Sequence, residues 1–320
     1  MQIHVLVLSG VFDTGLSVML DAFGTANELI ASGHVAAERF NVTKVGVRRR
    51  VRTGQGLTVP VIPADGLERP DMMVLPALAA KMPGVLSLAL ERRDVQDASA
   101  LLRAHSEAGT IVGAACTGTF VLAESSLLDG QPATTTWWLA PMFRERHPRV
   151  LLDESRMLVA SSRCVTAGAA LGHLDLALWF IRQHSPALAA LTARYMLVDP
   201  RPSQAAFVIP DHLLHTNALV ERFEQWIRPR LAEQFSIKDA ALAIGSSERT
   251  LSRRVRSVLG KSPLSYVQDL RIERAVHLLQ TGSSSVDQVA EQVGYADGVT
   301  LRTLLRRKIG RGVRELRARG

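Results

Sequence analysis

Arginine is concentrated in two stretches near the C-terminus, residues 237–260 (IKDAALAIGSSERTLSRRVRSVLG) and 286–310 (VDQVAEQVGYADGVTLRTLLRRKIG). In each, a short apolar run at helical spacing ends at a glycine turn, Gly245 with Ser246 or Gly294 with Tyr295 and Ala296. A second helix follows, carrying Arg249, Thr250, Arg253, Arg254 and Arg256 in the first stretch and Thr300, Arg302, Thr303, Arg306, Arg307 and Lys308 in the second. Guanidinium groups on such a helix donate to base edges and phosphate oxygens, and the second helix of each pair is the one a major groove receives. A different chemistry is offered by Cys116 in TIVGAACTGTFVLAESSLLDG, which reads as a buried strand, a sharp turn and a helix starting near Thr117. A thiol on that turn, at the positive end of a helix, is expected to be exposed and to have a lowered pKa, as at a nucleophile elbow.

Charge supports the first chemistry. Residues 1–214 hold 19 Lys and Arg against 19 Asp and Glu, whereas residues 215–320 hold 19 against 11, so the whole excess of +8 lies in the last third. Positive charge confined to a region of repeated helical pairs favours nucleic acid over a membrane surface, although a single arginine is ordinarily just solvated. The start, MQIHVLVLSGVFD, lacks a basic leader, and no run approaches the ~18 apolar residues of a membrane span. Cys116 and Cys164 are too few for a disulfide framework or an all-cysteine zinc site. A cytoplasmic, reduced protein with no metal, no cofactor and no membrane partner is expected.

The elements that must position these groups follow from the patterning. Short β-branched runs (IHVLVL, FNVTKVGV, DMMVLPA, TIVGAACT, RMLVAS) alternate with helix-like stretches such as 87–108, which predicts an α/β sheet with helices on both faces. Residues 172–184 and 187–197 read as closing helices. The segment 199–211 holds three prolines and no helical period, which predicts a linker between an α/β domain at 1–198 and an all-α domain at 212–320. A helix is expected over about 212–233 and another over 264–280. The latter, 17 residues at ~1.5 Å each, could hold two recognition helices near the spacing of successive major grooves, about 34 Å.

Residues 237–317 resemble the AraC/XylS transcription regulators, which join two helix-turn-helix units by a long helix. The likeness is carried by Ala241, Gly245, Leu251, Arg253, Gly260, Arg271, Ile272, Ala275, Leu278, Leu279, Val289, Ala290, Val293, Gly294, Tyr295 and Gly310. It implies base contacts by Arg249 and Arg253, four residues apart on one helical face, with Arg254 and Arg256 pointing elsewhere toward phosphate or solvent. Gly298, Val299 and Thr303 stand where the family places polar or basic readers. The first unit is therefore expected to supply most sequence readout and the second mainly to clamp phosphate. Gly298 lacks capping chemistry, which Asp297 before it can provide. Leu301 or Leu305 replaces a family aromatic and Val313 the closing proline.

Residues 1–197 resemble the PfpI-like, class I glutamine amidotransferase-like superfamily in its version fused to an AraC-type reader, through GVFDTGLSVMLDAFGTANEL, ACTGTFVLAESSLLDG and ATTTWW. The resemblance implies a flavodoxin-like αβα sandwich. Hydrolases of that superfamily need a base, an orienting carboxylate and oxyanion donors. Here Thr117 and Thr136 take places of histidines, Ala77 and Leu78 those of glycines, and Gly15 that of the carboxylate, with Asp13 the nearest acid. A reorganised triad could draw on His105, His147 or His173. Cys116 reads equally as a packed core residue or a ligand contact, and third as a nucleophile; Cys164 reads as core.

Together these imply a non-enzymatic transcription regulator, an activator by family habit. Duplex DNA, a small-molecule effector, RNA polymerase and a second copy bound through the N-terminal domain are the expected partners. Asp13, Cys116, Thr117, Thr136 and Trp137 are the expected ligand contacts. If Trp137 and Trp138 face the elbow, their rings suit a cation, and an amine or amino acid is the ligand class the resemblance implies. The alternatives are a cysteine-dependent hydrolase or lyase tethered to DNA, or a constitutive DNA-binding protein with a purely structural first domain.

Overall fold

A computed structural model of the chain describes residues 1–64, 66–199, 203–204, 217–282, 284–310 and 312–317. They fall into two compact units, Met1–Gln204 and Ala205–Gly320.

The first unit is an αβα sandwich around a seven-stranded sheet, ordered β10-β11-β7-β6-β1-β2-β5. In chain order its elements are β1 (Gln2–Leu6), α1 (Asp13–Ala31), β2 (Asn41–Gly46), the short ladder β3 (Val51–Arg52) with β4 (Thr58–Val59), β5 (Ile62–Pro63), β6 (Met72–Leu75), α2 (Pro83–Leu90), α3 (Arg93–Glu107) and β7 (Ile111–Ala115). Then come α4 (Gly118–Glu124), β8 (Pro132–Ala133), a 3-10 turn at Trp137–Leu139, α5 (Ala140–Arg146), β9 (Leu151–Leu152), β10 (Leu158–Ser161), β11 (Cys164–Ala167), α6 (Gly172–His184) and α7 (Pro186–Tyr195). All pairings in the main sheet are parallel except β10 with β11. Strand residues alternate between two cores, as a period of two requires. Met72 and Val74 of β6 join Met19 and Phe23 of α1 and Leu176 and Phe180 of α6 on one face. Met73 and Leu75 join Leu86, Leu102, Phe120 and Phe143 on the other. Gly113 of β7 is a packing requirement, since a Cβ there would lie 2.7 Å from the Phe180 ring.

The expected strands and closing helices are present, with two differences. The stretch 87–108 is two helices, because the chain turns out of α2 at Glu91 and re-enters at Arg93, where Arg92 is extended and its guanidinium donates to the Ser9 carbonyl (2.7 Å) and to Asp94. The region around Cys164 is a strand, β11, lying between β10 and β7.

The unit's end also differs from the expected boundary. Most of 199–211 lies outside the described residues, but Gln204 is fully buried in the first unit. Its Nε2 donates to Thr135 O (2.8 Å), Arg156 O (3.2 Å) and Thr134 Oγ1 (3.3 Å), and it occupies the space beside Gly168, where a Cβ would lie 2.4 Å from Nε2.

The second unit is helical: α8 (Ala218–Ile227), a 3-10 turn at Arg228–Arg230, α9 (Ile237–Ala243), α10 (Glu248–Leu259), α11 (Pro263–Thr281), α12 (Val286–Gln292), α13 (Gly298–Ile309) and α14 (Val313–Arg317). The helix expected over 212–233 ends at Ile227, ahead of Pro229, and its part before Asn217 lies outside the described residues. Val220, Phe223 and Ile227 of α8, Ala240 and Ala241 of α9, and Leu251, Val255 and Leu259 of α10 bury the apolar faces of the first pair. Ile272, Ala275 and Leu279 of α11 pack with Val289, Ala290, Val293, Leu301 and Leu305 around the second pair. Leu301 and Leu305 thus keep the core apolar where the family aromatic is missing.

A candidate DNA interface and a closed elbow

The two helix pairs repeat each other in their local chemistry. Ser236 and Ser285 each form a capping box with the residue three later, Asp239 or Gln288. Gly245 (φ 71°) and Gly294 (φ 79°) make the turns in the left-handed region, where only glycine is unstrained. Ser247 then caps α10 by accepting the Thr250 N–H (3.2 Å), and Asp297 caps α13 by accepting the Thr300 N–H (2.7 Å). Gly260 and Gly310 end both helices with φ 66° and 69°.

Arg249, Arg253, Arg254 and Arg256 of α10 are exposed, as are Thr300, Arg302, Thr303, Arg306 and Arg307 of α13, and Thr250 is half-buried. Among the described residues, none of these guanidinium groups has an ion-pair partner. Because α10 is unbroken from Glu248 to Leu259, its turn of ~3.6 residues brings Arg256 back under Arg249 and Arg253. This corrects the expectation that Arg256 points elsewhere; Arg254 does lie off that stripe.

The connector α11 braces both pairs. Asp269 accepts from Lys261 Nζ (2.9 Å), just past the end of α10, and from Lys308 Nζ (2.8 Å) on α13. Arg271 donates to Glu233 O (2.9 Å) ahead of the first pair and to Gly294 O (3.2 Å) in the second turn, with its guanidinium 5.6 Å from the Tyr295 ring centroid. Arg271 was legible only as a matching residue. Its bracing role depends on carbonyls 38 and 23 positions away, which no local pattern reveals.

In the first unit, the loops after β1, β6 and β7 converge at the C-terminal edge of the sheet, where the strand order reverses between β1 and β6. Phe12 N–H donates to Ala77 O (2.7 Å), Val11 bridges Leu78, and Thr117 Oγ1 donates to Leu78 O (2.7 Å). Cys116 has φ 54°, the strained turn of an elbow, and a Cβ at Gly118 would lie 2.8 Å from Leu75 O, so α4 starts hard against the end of β6.

The thiol is nevertheless closed off. Cys116 is 6% exposed, and burial pushes its pKa up to about 11, against weaker opposite pulls from the Thr117 backbone, the Thr136 side chain and Lys81. The expected exposed, acidic thiol is therefore overturned, because a helix of seven residues does not offset full desolvation. Two pKa units above the usual thiol value leave ~100-fold less thiolate at neutral pH. Iodoacetamide should accordingly modify Cys116 about 100-fold more slowly than free cysteine at pH 7.5, with the rate still rising above pH 9. Alkylation at the free-thiol rate would contradict this account of the elbow. Cys164 is likewise a buried free thiol, pushed up to about 11.

None of the three candidate histidines serves the thiol. His105 lies at the end of α3, at the opposite strand edge, with His4 and Arg69 around it, and His147 lies against Phe120, Phe143 and Glu124. His173 is fully buried, accepting the Ala77 N–H at Nε2 (2.9 Å) while Nδ1 meets Ala170 O (2.6 Å). Burial lowers its pKa to about 4, so the ring is neutral and already hydrogen-bonded at both nitrogens. It fills the space beside Gly15, where a Cβ would lie 2.5 Å from Nε2. One ring thus fills the space beside Gly15, where the resemblance implied a carboxylate, and engages the backbone donor at Ala77.

The remaining expected contacts surround the elbow. Thr117 is buried with its hydroxyl engaged, Thr136 Oγ1 is buried beside the thiol without a well-formed hydrogen bond, and Trp137 is buried edge-on to Trp138 (5.5 Å, 83°). Asp13 Oδ2 accepts the Gln55 N–H (3.1 Å), while Oδ1 is buried with no partner. Sequence reasoning missed Lys81, whose ammonium sits 5.5 Å from the Phe12 ring centroid and whose carbonyl accepts from Trp138 Nε1 (3.1 Å). A shallow groove of about 510 Å³ along α3, lined by Gln96, Arg103 and Glu124, includes none of these residues.

Residues 240–319 match a family model described as a helix-turn-helix domain. The chain is 28% identical over 210 residues to the HTH-type transcriptional regulator GbdR of Pseudomonas aeruginosa, which covers 64% of this chain and 57% of that protein. It thus spans under two thirds of that relative's length. The fold of the first unit matches an AraC family transcriptional regulator from Pseudomonas putida (19% identity, 61% of this chain and 98% of that one, TM-score 0.50). It also matches Drosophila melanogaster DJ-1beta (16% identity, 62% and 98%, TM-score 0.50). The second unit thus carries a helix-turn-helix domain of the matched family, behind a first unit with the fold shared by DJ-1beta and that AraC family regulator.

Proposed function

We propose that this chain is a sequence-specific regulator of transcription, working in the cytoplasm, whose second unit (212–320 in the expected division) grips duplex DNA and whose first unit senses a small metabolite without turning it over. The observation that carries this reading is the pair of side-chain-capped helices whose exposed arginines, among the described residues, have no ion-pair partner, braced from one connector by Asp269 and Arg271. An account by a merely solvated charged face leaves that duplicated bracing without a purpose. Recruitment of RNA polymerase, activation and pairing of two copies through the first unit follow as parts of the same proposal.

The elbow supplies the sensing site. Asp13 Oδ1 offers an unpartnered buried acceptor, and Lys81, beside the neighbouring Phe12, offers a cation. An amino acid matches that pair, with its ammonium toward Asp13 and its carboxylate toward Lys81. Against turnover stand the closed thiol and the neutral, doubly bonded His173. Thermal-shift screening of amines and amino acids tests the sensor: a hit that Asp13→Asn removes supports it, and no shift with any member leaves only a structural first unit. Turnover of an amide, peptide or α-oxoaldehyde that is lost in Cys116→Ala would restore the enzyme.

Gln204 is the route out of the sensor. Thr135 Oγ1 donates to Cys116 O (2.7 Å), and Gln204 Nε2 donates to Thr135 O, so the segment after β8 that walls the elbow also holds the last residue of the first unit. A ligand that displaces 134–137 changes the hold on Gln204, and by linkage the reverse is also true. Gln204→Ala should therefore speed Cys116 alkylation, and speed hydrogen exchange at the Ala169 amide, which now donates to Gln204 Oε1 (3.4 Å), by about tenfold. Unchanged rates at both places would remove Gln204 from the route.

A further inference from the structure

The internal repeat allows the two recognition helices to be compared within one chain. Helices α10 (Glu248–Leu259) and α13 (Gly298–Ile309) have the same length and start fifty positions apart. Buried Leu251 and Val255 correspond to buried Leu301 and Leu305, so the two helices present equivalent faces. On that register Arg249 corresponds to Val299 and Arg253 to Thr303. The two arginines that face the groove in the first unit are thus replaced, position for position, by side chains that end in methyl groups.

Local hydrogen bonding leaves the Val299–Thr303 part of this face without a free hydroxyl donor. Thr303 Oγ1 donates to Val299 O (3.0 Å), and Thr300 Oγ1 donates to Asp297 Oδ2 (3.2 Å), so both hydroxyl hydrogens are spent within the helix. The first amides are spent too: Asp287 Oδ1 accepts the Gly298 N–H (2.9 Å) and Asp297 Oδ1 accepts the Thr300 N–H (2.7 Å). Gly298 has no room for a reader, since a Cβ there would lie 2.6 Å from Asp287 Oδ1. The helix start, carrying two carboxylates, therefore does not cradle a phosphate. What projects from the first turn is Val299, 67% exposed although apolar, on one stripe with Thr303 and Arg306. In a major groove, the base-edge feature that an apolar group recognises is the thymine 5-methyl.

We propose that α13 reads thymine methyl groups through Val299 and Thr303, so that the binding site is chemically asymmetric, with guanines under α10 and thymines under α13. This rests on the DNA-binding reading above and adds to it: the second unit contributes sequence choice of a different chemical kind, beyond phosphate clamping by Arg302, Arg306 and Arg307.

The test uses the full chain and a random duplex library. Selection should enrich a two-part site, with guanine in one half and thymine in the other. Replacing the thymidines of the second half singly by deoxyuridine, which lacks only the methyl, should weaken binding about fourfold at the position under Val299. Val299→Ala should bind the thymidine and deoxyuridine duplexes alike, and Val299→Arg should shift the enriched base there from thymine to guanine. Both substitutions are on an exposed site, so the fold is retained. An enriched site that is indifferent to deoxyuridine throughout, or that carries guanines in both halves, overturns this inference and leaves sequence-specific binding standing. Failure to enrich any sequence overturns both.

Discussion

Arg253→Ala should bind its selected duplex roughly 10- to 100-fold more weakly than the unmodified chain while losing little affinity for an unrelated duplex. The side chain lies in the middle of the exposed stripe of α10, one turn beyond Arg249 and one short of Arg256, and among the described residues no acidic group pairs with it. Its forked N–H groups are free to meet guanine O6 and N7, a contact that only the matched sequence rewards. Removing a phosphate contact behaves differently, because phosphate is present in every sequence: Arg254→Ala should weaken both duplexes about equally and lessen the salt dependence by about one counterion. The substitution is on the solvent face, away from Leu251, Val255 and Leu259, so the melting temperature should not move. Equal losses on both duplexes for Arg253→Ala would contradict the base-contact assignment.

The second large effect concerns acid. His173 is neutral in the folded unit, with a pKa lowered by burial to about 4 against 6.5 when unfolded, and both ring nitrogens are engaged by Ala77 and Ala170. As pH falls below 6.5 the unfolded chain takes up a proton that the folded chain refuses. The stabilisation is complete above that pH and is lost as pH falls to about 4, by about 3 kcal/mol. His4, His105 and His147 are shifted downward by burial as well and act in the same direction. The comparison of wild type with His173→Gln isolates the one ring, since glutamine retains an acceptor for the Ala77 N–H but does not titrate. Denaturant unfolding followed by tryptophan fluorescence, with Trp137, Trp138 and Trp179 in the first unit, should give curves that converge between pH 6.5 and 4. Curves that stay parallel would mean that His173 protonates freely and is not sealed in.

Much of this was legible in the residues for identifiable reasons. The strands over 2–6, 41–46, 72–75 and 111–115 announce themselves through dense β-branched and apolar runs, and the second unit through its glycine turns and helical spacing. Strand β11 was missed because CVTA is only four residues long and its hairpin turn, Ser162 (φ 48°) with Arg163, carries neither glycine nor asparagine. The elbow's place was legible and its chemistry was not. A strand-turn-helix pattern locates Cys116, but its burial depends on the loops after β1 and β6, far away in the chain. His173 was one candidate among three histidines; only the fold shows that its ring fills the space beside Gly15 and engages Ala77. The arginine stripe needs nothing but helical spacing, which puts Arg256, seven residues or about two turns past Arg249, on it as well.

The central claim is that one braced module offers both recognition helices to neighbouring turns of a single DNA face. Hydroxyl-radical footprinting of the full chain on its selected duplex measures this directly. The account predicts two protected patches one helical turn, about 10 base pairs, apart on the same face, and loss of one patch when five base pairs are inserted between them. Two patches on opposite faces, or protection that tolerates the five-base-pair insertion unchanged, would contradict it.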